Sequence, residues 1–121
     1  MRQKDLKPVE WVGSSRKDLR RFPKAARRII GQAILHAQAG LKHEDATPMK
    51  GKLREVMEIR ADISREAYRT MYLTKLAGVV YVLHAFDKKA TKGKKTPQRH
   101  LDIIELRMKV AKKHHEENYK A

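Results

Sequence analysis

Three strand-like runs follow one another in the second half of the sequence, separated by short polar connections. The runs are Val56 to Ala61, Ala67 to Thr74 and Val79 to Asp87, with β-branched or aromatic residues at several positions in each. The connections, 62–66 and 75–78, have the length of hairpin loops, which join antiparallel neighbours. The sequence therefore predicts a three-stranded antiparallel meander that the rest of the chain has to cover.

Helical patterns flank the predicted meander on both sides. Before it, apolar residues recur at helical spacing after Pro23, a residue that suits the first turn of a helix better than its interior. We expect a strand at 9–12, helices at 15–22 and 23–39, a loop at 41–53, and a last helix from about Pro97 whose polar end frays from His114. The predicted fold class is α+β: an N-terminal strand, a two-helix hairpin, a three-stranded antiparallel meander packed on the helices, and a C-terminal helix.

The length and composition limit the class of protein. A chain of 121 residues supports one core, so we expect a single domain over 1–121, with its core at about 9–111 and a polar tail at 112–121. No apolar run approaches the ~20 residues of a spanning helix, and the first residues lack the apolar core of a secretory signal. With no cysteine, the composition fits a reducing compartment, and we expect a cytoplasmic protein without a membrane partner.

The charge indicates a polyanionic partner. The 29 Lys and Arg residues outnumber the 14 Asp and Glu residues, which gives a formal net charge of +15. Such an excess favours nucleic acid through counterion release and steering, and predicts binding that weakens steeply with salt. The positive charge is concentrated in two segments, the helical hairpin and the stretch 88–99. Candidate RNA contacts in these segments are Arg20, Arg27, Lys89, Lys92, Lys94, Lys95 and Arg99.

Isolated cations also stand within the strand-like runs. Arg69 lies among apolar residues of the second run, and Lys88 and Lys89 follow the third. Because side chains alternate along a strand, we expect Arg69 to project from the open face of the sheet, where it could meet Lys88 at one anionic group.

The order of elements and four short motifs resemble the RelE/ParE superfamily of toxins, and within it the HigB-type and phage-derived RelE-like proteins. The motifs are Pro48-Met-Lys-Gly51, Val56-Met-Glu-Ile-Arg60, Tyr68-Arg-Thr-Met-Tyr72 and Tyr81-Val-Leu-His-Ala-Phe-Asp-Lys-Lys89, the last followed by Thr96-Pro97. The resemblance implies a metal-independent endoribonuclease that enters the ribosomal A site and cuts messenger RNA. It also implies a cognate antitoxin, expected to be a helix-turn-helix protein of the HigA type.

The resemblance places particular residues in the site. It puts Arg69 at the central catalytic arginine, Lys88 at the basic position that ends the last meander strand, and Arg60 at a basic position on the neighbouring strand. Lys50, within the first motif, joins the candidate RNA contacts. Two departures concern the proton acceptor: Glu58 stands where some members have lysine, and the C-terminal tyrosine or histidine of several members has no match.

Cleavage of RNA without metal needs a base for the 2′-hydroxyl and cations for the phosphoryl oxygens. Arginine suits the second task because its planar fork donates two parallel hydrogen bonds to phosphate, so we expect Arg69 to hold the scissile phosphate. Glu58 shares a strand face with Arg60 and could act as the base or form an ion pair with Arg69. His84 is a second candidate base, since its ordinary pKa suits proton transfer at neutral pH.

Other classes of function stay open at this point. We expect no cofactor and no metal, because no histidine pair has a trusted ligand spacing and no glycine-rich phosphate loop is present. The same fold without the catalytic residues could inhibit DNA gyrase, as ParE-like proteins do, or could bind nucleic acid without enzymatic activity. A cluster of cations in the cleft favours nuclease activity over gyrase inhibition, because a gyrase inhibitor does not need one.

Overall fold

The computed structural model describes residues 5–89 and 95–120. Its five strands, three α-helices and one short 3₁₀ helix follow the order below. They are β1 (Val9–Trp11), α1 (Ser15–Arg20), α2 (Lys24–Gln38), β2 (Ala46–Pro48), the 3₁₀ helix (Gly51–Leu53), β3 (Val56–Ile63), β4 (Glu66–Leu73), β5 (Val80–Lys89) and α3 (Gln98–Asn118).

The five strands form one sheet in the order β1-β5-β4-β3-β2. The strands β3, β4 and β5 are antiparallel neighbours, so the predicted meander is confirmed. Strand β2 joins its edge in antiparallel fashion, and β1 pairs with β5 in parallel at the other edge. The predicted α+β class is also confirmed, with its N-terminal strand, two helices before the meander and a C-terminal helix.

Helix α2 covers one face of the sheet. It begins directly after Pro23, whose φ of −57° is already helical and whose missing N–H costs nothing at that position. The buried side chains of Ala26, Ile30 and Ala33 recur at helical spacing and belong to one hydrophobic cluster with Ile59 of the sheet. Because the buried positions are mostly alanine and isoleucine, the helix packs closely against the strands.

Helix α3 covers the opposite face. Its buried residues Ile104 and Ala111 pack with Met71, Leu73 and other sheet residues in a second hydrophobic cluster. The sheet is therefore a central layer between α2 on one side and α3 on the other, and α1 lies against β5. Among the described helices, none is both long enough and apolar enough to cross a membrane.

Two expectations for irregular segments are wrong. The predicted loop at 41–53 contains β2 and the 3₁₀ helix. Pro48 is compatible with a strand there because β2 lies at the sheet edge, where a proline interrupts no ladder on its outer side.

The predicted frayed end is instead helical to Asn118. His115 is only 4% exposed, and its Nε2 donates to the carbonyl oxygen of Ala77 at 2.9 Å. The Tyr81 hydroxyl lies 2.8 Å from His114 Nδ1. These contacts hold the last turns of α3 against the sheet, because they give its polar side chains partners inside the protein.

Candidate functional site

The strand register brings most of the predicted site residues to one face of the sheet. Arg60 lies directly opposite Arg69, and Arg69 lies directly opposite Phe86 on the next strand. Directly opposite residues project to the same side, and so do residues two apart along one strand. Glu58 and His84 therefore share this side, which is the side that α3 covers.

Arg69 is buried, so the prediction that it projects from an open face is wrong. Its residue exposure is 0%. The guanidinium Nη1 lies 3.3 Å from Glu58 Oε2 and 3.4 Å from Thr96 Oγ1, and its Cζ lies 6.0 Å from the centroid of the Phe86 ring. The side chain is covered because Thr96, which precedes α3, and Phe86 of β5 both lie against it.

Glu58 and Arg69 form a partly desolvated ion pair. The Glu58 side chain retains 20% of its exposure, whereas that of Arg69 retains 1%. Burial raises the pKa of the Glu58 carboxyl, and the neighbouring charges of Arg69 and Arg60 oppose that rise. Burial lowers the pKa of Arg69, against the effect of Glu58. The result is a carboxylate that is easier to protonate than a free one, held in place by a fixed cation.

Glu58 stands where two surface hollows meet. One hollow, of about 420 Å³, is lined by Glu44, Asp45, Thr47, Glu58, Arg60 and Asp62. The other, of about 550 Å³, is lined by Thr47, Pro48, Met49, Lys50, Glu58, Lys95, Thr96 and Leu101. The two share Thr47 and Glu58 and are therefore adjacent, and we call the pair of hollows the β2 groove. Within it, Arg60 Nε donates to Asp62 Oδ1 at 2.9 Å.

The acidic residues of the β2 groove do not gather into a metal site. Within residues 5–89 and 95–120, no group of three or more His, Cys, Asp or Glu side chains is arranged to hold a metal ion. The groove offers a ligand the partly buried carboxylate of Glu58, with Lys50 and Lys95 on one side of it and Arg60 on the other. The Arg60 side also carries the exposed carboxylates of Glu44, Asp45 and Asp62.

A histidine pair, His84 and His100, lies beside Phe86. His84 is 5% exposed, and its Nε2 lies 2.8 Å from His100 Nδ1. The other nitrogen, Nδ1, lies 3.3 Å from Arg107 Nη1. Burial lowers the pKa of His84 to about 4, and the charges of His100 and Arg107 act in the same direction. Both ring nitrogens of His84 are thus engaged within the protein, which argues against its predicted role as the base.

His100 and Arg107 were not predicted from the sequence as residues of the site. The His100 ring stacks on Phe86, with centroids 3.9 Å apart and planes at 12°. A signal was available, because His100 and Arg107 lie four residues before and three after Ile104, the buried residue on the core-facing side of α3. Polar residues on a buried helical stripe need partners, and His84 supplies one.

The predicted RNA contacts divide between the two sides of the sheet. Lys50 and Lys95 line the β2 groove, and Arg99 is exposed in the first turn of α3. Arg27 is exposed on α2, across the sheet from the groove, and Arg20 is exposed on α1, which packs on β5, three strands away from β2. The side chains of Lys88 and Lys89 lie outside the described part of the structure, as do Lys92 and Lys94.

The five-stranded, mostly antiparallel sheet with helices on its faces defines the chain as an α+β protein. A model of the phage-derived Gp49-like protein family (DUF891) matches residues 17–109, and the chain belongs to this family. The family is RelE-like, so the resemblance is confirmed for the superfamily, whereas the HigB-type likeness stays a prediction.

Other comparisons add little to the assignment of the family. Among solved structures, the chain is similar to the toxin–antitoxin complex RelBE2 from Mycobacterium tuberculosis, with 20% identity and a TM-score of 0.44, over 69% of this chain and 92% of that one. Among curated proteins there is no match.

Proposed function

We propose that this protein is the toxin of a type II toxin–antitoxin system and acts as a metal-independent, ribosome-dependent endoribonuclease on messenger RNA. Membership of a RelE-like family supports the toxin assignment. The observation that best supports nuclease activity is the position of Glu58. Its side chain lines both hollows of the β2 groove and lies 3.3 Å from Arg69. A carboxylate and cations in one groove are the groups that metal-free cleavage of RNA requires.

Glu58 is the proposed general base. The 2′-oxygen of the RNA attacks the adjacent phosphorus, its proton passes to the Glu58 carboxylate, and the bond from phosphorus to the 5′-oxygen breaks. The departing 5′-oxygen takes a proton from solvent. Partial burial, which raises the pKa of Glu58, makes its carboxylate a stronger proton acceptor than an exposed one, while Arg69 keeps it ionised.

The cations of the β2 groove are proposed to bind phosphate. Arg60, Lys50 and Lys95 line the groove and can reach an RNA backbone from the surface. Arg69 lies beneath them, so its proposed role changes from a direct clamp on the scissile phosphate to a fixed charge that orients Glu58. Lys88, at the end of β5, is proposed as a further supporting cation, as the family resemblance implies.

The proposed partners are the ribosome, its messenger RNA and a cognate antitoxin. The net charge of +15 suits ribosomal RNA and equally an acidic antitoxin, for which we propose a helix-turn-helix protein of the HigA type.

The test is induced expression in a bacterial host, followed by mapping of messenger RNA 5′ ends. We expect new ends within translated codons for the wild type and none for Glu58→Gln, which keeps the shape of the side chain and removes the base. The matched control is Glu55→Gln, since Glu55 forms a surface ion pair with Lys112 and lines neither hollow. Cleavage retained in Glu58→Gln would overturn the role of Glu58.

The same experiment separates the other classes of function. Intact transcripts together with defects in DNA supercoiling would overturn the nuclease in favour of a gyrase inhibitor of the ParE type. Intact transcripts with normal supercoiling, in cells whose growth stops, would favour a protein that binds nucleic acid without cutting it. If expression does not affect growth, the proposal that the protein is a toxin would be overturned.

A further inference from the structure

Arg107 is fixed at the junction of α3, β5 and the start of α1. Its Nη1 donates to the carbonyl oxygen of Leu83 at 3.0 Å, and its Nη2 donates to Ser14 Oγ at 3.0 Å. The guanidinium also lies flat against Gly13, where a Cβ atom would stand only 2.7 Å from Nε. Contacts from three directions therefore fix the orientation of the guanidinium. In this orientation Nη1 also lies 3.3 Å from His84 Nδ1.

The contact with Arg107 determines where His84 carries its proton. An arginine side chain has only N–H donors, so the Nδ1 of His84, 3.3 Å away, has to be the acceptor. A neutral imidazole has one donor and one acceptor, which puts the proton of His84 on Nε2. That Nε2–H then donates to His100 Nδ1 at 2.8 Å. Protonation of His84 would set an N–H against the N–H of Arg107.

The proton of His100 is fixed in the same way as that of His84. His100 Nδ1 accepts from His84, so the proton of neutral His100 lies on Nε2. We infer that Arg107 is a positioning residue that acts through His84 to hold His100 as a neutral imidazole with its proton on Nε2, so that His100 meets a phosphate bound beside Thr96 and Leu101, at the α3 side of the β2 groove, as a hydrogen-bond donor and not as a base. The role toward phosphate rests on the proposed function, whereas the tautomers do not.

The surroundings of His100 fit a donor for phosphate. Its ring is partly exposed and stacks on Phe86, whose ring lies 6.0 Å from the Arg69 guanidinium carbon. His100 itself is not among the residues that line the β2 groove, but its neighbour Leu101 and the nearby Thr96 are, so His100 lies next to the groove. Burial and the neighbouring Arg99 lower the pKa of His100, against the effect of Asp87, so the neutral form prevails at pH 7. A neutral imidazole with lowered pKa can stabilise developing negative charge through its N–H.

The first test is the ¹⁵N NMR spectrum of the imidazole rings in the full chain at pH 7. We expect both His84 and His100 to show a protonated Nε2 and an unprotonated Nδ1. Either ring with its proton on Nδ1 would overturn the inference. This outcome does not depend on catalysis, because it is read from the free protein.

Variants at Arg107 test the relay itself. Arg107→Lys keeps a donor without an acceptor and should keep the wild-type tautomers, whereas Arg107→Met should give His84 and His100 a mixture of both. Lys109→Met, on the exposed side of the same helix, is the matched control and should leave them unchanged. A folded Arg107→Met protein with unaltered tautomers would contradict the relay. If Arg107→Met does not fold, the wild-type spectrum and the lysine variant decide.

The role toward phosphate is tested with inorganic phosphate as the probe. Its addition should shift the His100 Nε2 resonance and leave that of His115, which already donates to Ala77, in place. His100→Gln retains a donor near the Nε2 position and should bind a short RNA within about threefold of wild type, while His100→Ala should lose about tenfold. No shift of His100 and no loss in His100→Ala would overturn the role. If phosphate shifts the His100 resonance and His100→Ala weakens RNA binding, but the protein does not cleave RNA, only the proposed nuclease activity would be overturned.

Discussion

Arg60 and Arg69 lie directly opposite each other on β3 and β4, with both side chains on the face that α3 covers. Like charges at directly opposite positions destabilise a sheet unless other groups compensate them. Each arginine has its own carboxylate: Glu58 lies 3.3 Å from Arg69, and Asp62 lies 2.9 Å from Arg60. The two acidic residues of β3 thus allow two cations to lie opposite each other, Arg60 in the lining of the β2 groove and Arg69 buried beneath it.

The ion pair between Glu58 and Arg69 should be visible in a double-mutant cycle. Arg69→Met leaves the partly buried Glu58 without its cation, and we expect it to lower the free energy of unfolding by about 2–3 kcal/mol at pH 7. Arg69→Met combined with Glu58→Gln should cost less than the sum of the single changes, with a coupling of about 1–2 kcal/mol. Urea unfolding of the four proteins measures the cycle.

The control for this cycle is Arg60→Met with Asp62→Asn. That pair is more exposed, with side-chain exposures of 25% and 60%, so its coupling should stay below about 1 kcal/mol. Equal coupling in the two pairs would contradict the burial that sets Arg69 apart from Arg60.

His84 should make the fold sensitive to acid. Its pKa in the folded protein is lowered from 6.5 to about 4, so between these values the unfolded chain binds a proton that the folded chain does not. Stability contributed by neutral His84 is therefore present above pH 6.5 and lost as the pH falls toward 4, by roughly 3 kcal/mol in all. The groups that face His84 are His100 and Arg107 from α3, and Asp18 of α1, whose charge opposes the shift.

The measurement is the free energy of unfolding of wild type and His84→Gln from pH 7 to pH 4. The difference between the two proteins should narrow as the pH falls, because the glutamine does not titrate. Parallel curves would show that His84 takes up its proton equally well in the folded and unfolded chains.

Gly13 should tolerate no side chain. Its φ is +57°, and a Cβ there would meet the Arg107 side chain at 2.7 to 2.9 Å. Gly13→Ala combines backbone strain with displacement of Arg107, and we expect it to cost about 1–3 kcal/mol. Gly31→Ala, in α2 with nothing within 4 Å of the added Cβ, should instead stabilise by about 0.5–1 kcal/mol. Thermal unfolding of the two variants provides the comparison, and equal effects would contradict the close approach of Arg107.

Local patterns are sufficient to predict the elements that depend on neighbours in sequence. The meander follows from three runs with hairpin-length connections, and α2 follows from its apolar spacing after Pro23. The alternation of side chains along a strand also predicts that Glu58 and Arg60 share one face, and the register of β3 agrees with this.

What could not be predicted depends on packing between distant segments. Arg69 is buried because Thr96 and Phe86 come to lie against it, and no local pattern around residue 69 encodes those contacts. The contact of His84 with His100 likewise depends on how α3 crosses the sheet. Strand β2 was missed because three residues with a proline carry little strand signal of their own and gain order from pairing with β3.

The two basic surfaces should contribute differently to the salt dependence of RNA binding. Lys50 and Lys95 line the β2 groove, whereas Arg27 lies across the sheet from it on α2, and Arg20 lies on α1, against β5. For a short single-stranded RNA, removing two phosphate contacts should reduce the slope of log K against log salt by about 1.4. We expect Lys50→Ala with Lys95→Ala to do so, and Arg20→Ala with Arg27→Ala to change that slope little.

Both double variants remove two positive charges, so each is the charge-matched control for the other. The measurement is fluorescence anisotropy of a labelled oligonucleotide between about 50 and 200 mM salt, repeated with purified ribosomes. Arg20→Ala with Arg27→Ala should weaken binding to ribosomes even though it spares the oligonucleotide, because ribosomal RNA surrounds a ligand on more than one side. If both double variants reduced the salt slope of oligonucleotide binding equally, RNA would be attracted by the net charge of the whole protein. The β2 groove would then not be the RNA-binding site.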